Sequence, residues 1–142
     1  VTLFATAIYC VINLKEGTLC FSCAGHPSPI AVRLGKATQL AESGGPPNPA
    51  LGLIPGAPYH SQKVSLDEID RLLVYTDGLH EVEDSEGEQL GIERVMNLLA
   101  SCHSESLDDC LDHVLDKARS FATKGVFDDD VCLLAMDVGS GL

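Results

Sequence analysis

The apolar residues of this chain change period along its length. Residues 1–12, VTLFATAIYCVI, mix large and small apolar side chains with threonines and predict a strand. The run breaks at Asn13-Leu14-Lys15-Glu16-Gly17, where Gly17 can take the left-handed position of a short hairpin loop. Thr18–Ala24 predicts the returning strand, Gly25-His26-Pro27-Ser28-Pro29 a turn, and Ile30–Leu34 a third strand. Three short strands with tight connections predict an antiparallel meander. Residues 42–58 hold four Gly and five Pro, which remove donors and demand unusual dihedrals. That segment predicts a long loop or an ordered flap, more mobile than its neighbours. Residues 59–66 read as a strand and 67–70 as a turn. Arg71–Thr76 reads as a strand apolar on both faces, as in a sheet covered by a second layer.

The period then turns helical. Gly91–Ser101 places Ile92, Val95, Met96 and Leu99 on one face. Residues 106–121 place Leu107, Cys110, Leu111, Val114, Ala118 and Phe121 on one stripe, with Asp108 and Asp109 in the first turn. Residues 131–138, VCLLAMDV, predict a last strand. A meander, a loop, two strands, two helices and a strand imply one α+β layered domain, without repeat or internal boundary.

Composition narrows the class. A chain of 142 residues suits one domain, and 45% apolar residues exclude disorder. Net charge is −12, from 9 basic and 21 acidic residues, which argues against nucleic acid and suits hard cations. No basic leader precedes an apolar run, and no apolar run approaches a membrane span. The chain opens without Met, so a piece of a longer protein is expected. Six cysteines without secretory context predict small buried hydrophobes in a reducing cytoplasm rather than a disulfide framework.

Candidate chemistry lies at two strand ends. Leu72-Leu73-Val74-Tyr75 stops in Thr76-Asp77-Gly78, and Asp128-Asp129-Asp130 precedes the last apolar strand. Each alone reads as a solvated turn. Together they suggest facing carboxylates that repel unless a cation neutralises them, with oxygen-only ligands suited to Mg²⁺ or Mn²⁺. Cys20, Cys23 and His26 have spacings reminiscent of zinc ligands, but residues three apart on a strand face opposite ways. Cys110 and His113 lie one helical turn apart. His26 reads as pinning its turn by hydrogen bonding, or else as contacting substrate. A calcium loop from Asp84 fails, since Gln89 and Val95 stand where Gly and Glu belong. No GxSxG elbow or P-loop occurs.

Three stretches, FATAIYCVINLKEGTLCFSCAGHPSPIAVR, LLVYTDGLHEVEDSEGEQLGIERVMNLL and DDDVCLLAMDV, occur in this order and cover nearly the whole chain. The sequence resembles the C-terminal part of a PPM-type, metal-dependent serine/threonine phosphatase domain of the bacterial stage II sporulation E-like branch. The resemblance implies residues 1–142 as the C-terminal part of one such domain. It implies an antiparallel β-sandwich flanked by helices in α-β-β-α layers, N-terminally truncated here. It implies that Asp77 and Asp129 are catalytic and bind metal, with Asp130 beside them. Gly78 would let the chain turn sharply away. Cys132 stands where the family usually has Thr. The family's first aspartate motif, before a Gly-His-Gly-like turn, has no counterpart in this sequence.

The implied activity is a metal-dependent phosphoprotein phosphatase, a phosphoric monoester hydrolase. Two Mn²⁺ or Mg²⁺ ions in the complete domain activate water against phosphoserine or phosphothreonine. The implied setting is cytoplasmic bacterial signalling and sigma-factor regulation. The implied substrate is a phosphorylated regulator such as an anti-sigma-factor antagonist, with a sensor or receiver domain upstream. The fragment alone is expected to be inactive, and exposed strand edges favour a homodimer. The alternative is a catalytically silent phosphatase-like binding or dimerisation module.

Overall fold

The structure is a computed structural model and describes residues 3–40 and 46–139. Strands β1 (Ala7–Asn13) and β2 (Thr18–Ala24) form the expected hairpin, closed by Gly17 at φ 63°. Asn13 Oδ1 accepts from the Glu16 amide at 3.1 Å inside the turn. Strand β5 (Gln62–Ser65) pairs antiparallel with the other edge of β2, giving the order β1-β2-β5.

The meander does not form. After Pro29 the chain leaves this sheet, and β3 (Ile30–Arg33) becomes an inner strand of a second one. There β4 (Lys36–Gln39), β3, β6 (Arg71–Tyr75) and β7 (Leu133–Asp137) lie in the order β4-β3-β6-β7, all antiparallel. The reason lies in burial: Ile30, Ala31 and Val32 are all buried, so β3 needs apolar cover on both faces. β4 escaped the sequence reading because it is four residues long and mostly polar. A tight Leu34-Gly35 turn folds it back on β3 with both residues at positive φ. The Leu34 amide donates to Asp70 Oδ2 at 2.6 Å and holds that turn.

The sheets pack face to face through Leu19, Phe21 and Cys23 of the first against Ala31 and Leu72 of the second. The far face of the second sheet, Ile30, Val32, Leu73 and Tyr75, carries α1 (Gly91–Ser101) and α2 (Leu107–Phe121) through Val95, Leu99, Val114 and Ala118. Ser106 starts α2 by accepting from the Asp109 amide. The described residues thus stack as sheet, sheet and helices, an α+β fold. Among them none covers the outer face of β1, where Tyr9 and Val11 are exposed. No helix among the described residues is long and apolar enough to cross a membrane.

The cysteine expectation needs correction. Cys102 and Cys110 are joined in a disulfide with Cα atoms 5.3 Å apart. The turn between the two helices brings the end of one beside the start of the other, which a linear reading does not reveal. Cys10 and Cys132 are exposed rather than core. Cys20 and Cys23 do lie on opposite faces of β2, half-buried and buried. The last strand is also less interior than its sequence suggests: β7 is an edge strand, and Leu134 points outward at 62% exposure.

Candidate functional site

The two acidic strand ends meet. Strand β6 ends at Tyr75 and β7 begins at Leu133, and these two residues are paired. Thr76 extends the pairing one step further. Its amide donates to the Cys132 carbonyl at 3.1 Å, and its hydroxyl donates to the Asp130 carbonyl at 2.9 Å. The same hydroxyl oxygen accepts from the Cys132 amide at 2.9 Å. Thr76 therefore fixes the Asp129–Asp130 backbone beside Asp77.

Asp77 is half-buried and opens a short 3-10 turn, Asp77–Leu79. Its Oδ1 accepts from the Gly78 amide at 3.0 Å, and the Asp129 Oδ1 accepts from the Asp130 amide at 2.7 Å. Asp129 and Asp130 are both exposed. Among the described residues, the second carboxylate oxygen of Asp77 and of Asp129 has no hydrogen-bond partner.

Gly78 has a different role from the one expected. It lacks a left-handed φ, so conformational freedom is not what the position requires. A Cβ there would lie 2.7 Å from the Asp130 carbonyl oxygen and 3.3 Å from the Asp129 carbonyl carbon. Only a residue without a side chain lets the two acidic segments approach this closely.

Asp77 also lines a cavity of about 840 Å³. Its walls come from the 25–28 turn, from Pro47–Ala50, and from His80, Glu81 and Gly91. No Lys or Arg lines it among the described residues. His26 bonds the Pro27 carbonyl through Nδ1 at 2.9 Å within its turn, and its side chain lines the cavity. Below the cavity the Tyr75 hydroxyl accepts from Gln39 Nε2 at 3.3 Å. Burial pushes the Tyr75 pKa up to about 12.

Asn48 was missed by sequence reasoning and organises the wall. It is buried inside the Pro/Gly-rich segment and donates to the Cys23 carbonyl at 2.9 Å and the His60 carbonyl at 3.0 Å. Its Oδ1 accepts from the His60 amide at 2.9 Å. An Asn among prolines reads as a turn residue, and nothing in the sequence marks it as buried. Residues 46–58 are thus an anchored flap, while Glu42–Gly45 lie outside the described residues.

The donor set fits a hard cation in kind: carboxylate oxygens at adjoining strand ends, with no basic side chain to satisfy them. It does not gather in number. Among the described residues no three Asp, Glu, His or Cys side chains converge as a metal site.

Residues 1–139 match the family model described as stage II sporulation protein E (SpoIIE). The chain is 27% identical over 135 residues to Protein IcfG of Synechocystis sp., covering 94% of this chain and 20% of that protein. The RsbU and RsbW domains of Rv1364c from Mycobacterium tuberculosis superpose with a TM-score of 0.71 at 28% identity, covering 93% of this chain and 35% of that one. The SiaA-PP2C domain of Pseudomonas aeruginosa gives 0.76 at 18% identity, with 93% and 51% covered. The phosphatase domain of SpoIIE from Bacillus subtilis, presoaked with Mn, gives 0.68 at 16%, with 96% and 58% covered. The chain therefore spans about a fifth of IcfG and between a third and three fifths of these solved chains. Its fold is that of a PP2C-type phosphatase domain, and the chain belongs to the stage II sporulation protein E family.

Proposed function

We propose that this chain forms part of a protein serine/threonine phosphatase domain that acts on a phosphorylated signalling regulator. The observation that carries the proposal is the contact of the Asp77 turn with Asp129–Asp130, enforced by Thr76 and by the absent side chain of Gly78. Asp77 and Asp129, with Asp130, would hold Mn²⁺ or Mg²⁺, each ion keeping several waters. When bound, such an ion supplies a water of lowered pKa and positive charge against the phosphoryl oxygens.

The chain's own residues supply the rest. Asp77 and Asp129 each fix one oxygen on a backbone amide, which leaves the other oxygen available to a cation. Among the described residues the cavity beside Asp77 holds the Asp77 and Glu81 carboxylates and no Lys or Arg, so a phosphate ester would enter it with a cation. Because no three donors converge among the described residues, the isolated chain would hold at most one ion weakly and would not turn over. By the resemblance, the substrate is an anti-sigma-factor antagonist or similar regulator, and a sensor or receiver domain governs the activity. The exposed outer face of β1 supports self-association as a dimer.

The test is Mn²⁺-dependent phosphate release from a phosphoserine protein by the complete protein. Asp77→Asn and Asp129→Asn are each expected to abolish it while leaving the folded spectrum unchanged. Full activity in either variant overturns the assigned roles. Absence of turnover by the complete wild-type protein would favour a silent binding module instead.

A further inference from the structure

Two histidines share the cavity beside Asp77, and the surroundings fix which nitrogen of each carries hydrogen. His80 follows the Asp77 turn, and its amide donates to the Asp77 carbonyl at 3.0 Å. Its ring stands edge-to-face with Tyr75, centroids 5.8 Å apart and planes at 86°. Its Nδ1 is sealed from solvent without any hydrogen-bond partner. Nε2 is not among the sealed unpartnered atoms and belongs to a side chain on the cavity wall. A buried N–H without an acceptor is rarer and costlier than a buried bare acceptor. The hydrogen of neutral His80 therefore sits on Nε2, at the accessible end of the ring.

His26 has the opposite polarity. Its Nδ1 lies 2.9 Å from the Pro27 carbonyl oxygen. A carbonyl can only accept, so Nδ1 carries the hydrogen and Nε2 of the neutral ring is an acceptor.

We propose that the cavity binds a phosphoserine segment through this pair: His80 Nε2–H donates to a phosphoryl oxygen, and His26 Nε2 accepts from a peptide N–H. The polarity matches the ligand class. A phosphoryl group offers only acceptors once ionised, whereas the backbone that carries it offers N–H donors. The position matches as well, because His80 lies on the same turn as Asp77, where the phosphoryl group would meet its cation. The assignment rests on the phosphatase reading for its ligand, but not for its tautomers.

Two measurements on the complete protein separate those levels. Long-range ¹H–¹⁵N correlation of ¹⁵N-labelled histidines reads the tautomers directly, with or without activity. The expected result is Nε2–H at His80 and Nδ1–H at His26. An Nδ1–H at His80, turned toward the Tyr75 ring, overturns the proposal. The second measurement is Mg²⁺-dependent hydrolysis of a phosphoserine peptide. His80→Phe is expected to raise KM about tenfold, the loss of one hydrogen bond to a charged group. His80→Gln should recover most of that, because its amide N–H stands near the position of Nε2. Equal KM values for His80→Phe and wild type overturn the proposal even where the tautomers agree. If the wild-type protein shows no hydrolysis, the phosphatase reading and the ligand assignment fail together, and the tautomers alone remain decided.

Discussion

Replacing Gly78 by alanine drives one methyl group into the contact that assembles the acidic site. The new Cβ would lie 2.7 Å from the Asp130 carbonyl oxygen, against the 3.4 Å at which ordinary contact begins, a shortfall of about 0.7 Å. The obstacle is backbone on both sides, so no flexible side chain can swing away. Either the Asp129–Asp130 segment retreats or the Asp77 turn does, and both movements pull on Thr76. Overpacking of this kind costs about 1–3 kcal/mol. Weakening the two Thr76 hydroxyl bonds to Asp130 and Cys132 adds about 1 kcal/mol. Against this, an Ala at an unstrained φ gains about 0.4–1 kcal/mol by restricting the unfolded chain. The net expectation is a loss of about 2 kcal/mol, or roughly 1 M in the urea midpoint. Gly139→Ala is the matched control. It also lacks a positive φ, but nothing lies within 4 Å of its added methyl, so it should stay within about 0.5 kcal/mol of wild type. The assay is urea unfolding paired with Mn²⁺ titration calorimetry on the complete protein. Gly78→Ala should lose stability and weaken Mn²⁺ binding about tenfold or more, while Gly139→Ala changes neither. Equal midpoints for the two variants would refute the close-approach argument. A lowered midpoint with unchanged Mn²⁺ affinity would separate the contact from the metal role.

Three further expectations test the frame around the site. Arg71, 4% exposed, donates to Asp137 at 2.6 and 3.1 Å and to the Cys102 and Glu105 carbonyls at 3.3 and 2.9 Å, tying the sheet to the interhelical turn. Arg71→Ala should cost about 3 kcal/mol in urea unfolding, and Asp137→Asn, whose carboxylate is half exposed, only about 1 kcal/mol. For the Cys102–Cys110 bridge, a separation of 8 residues gives about 2.5 kcal/mol by loop closure. Dithiothreitol should therefore lower the urea midpoint of wild type and leave that of the doubly substituted Cys102→Ala/Cys110→Ala protein unmoved. Tyr75 is raised by burial from 10.0 to about 12 in the folded state, so between those values the folded form keeps a proton that the unfolded form has lost. Stability should be undiminished by this group below pH 10 and fall as pH rises toward 12, and Tyr75→Phe should flatten that fall in pH-dependent thermal melts.

The elements that sequence periodicity revealed are those whose side chains face one large apolar surface. β2 alternates because only its Leu19-Phe21-Cys23 face meets the second sheet, and α1 and α2 carry stripes because each lies flat on the other face of that sheet. Periodicity records how much of a strand is covered, and not which sheet covers it. Pattern alone therefore predicts β3 in a meander with β1 and β2, although Ile30 to Val32 need cover on both faces. β4 has almost no apolar content to alternate, and its existence depends on the Leu34-Gly35 turn and on the free edge of β3.

The same distinction governs the site. Asp77 and the Asp128–Asp130 run were legible as candidates because a carboxylate at the end of an apolar strand is a local contradiction that calls for a cause, while only the family resemblance singles out Asp129. Gly78 was legible as important but for the wrong reason, since its cause is a backbone 52 positions away in the chain, at Asp130. Asn48 and the His80 nitrogen left without a partner share that property, one defined by neighbours distant in sequence and the other by the absence of any, while the disulfide depends on how the turn between the helices folds. The acidic pair depends on Thr76 in the same way. One hydroxyl that donates to the Asp130 carbonyl and accepts from the amide of the next residue but one ties the backbone of the two acidic strand ends together. On the proposed reading a cation would draw on both segments at once, so metal affinity and stability are expected to move together when the Thr76–Gly78 turn is altered.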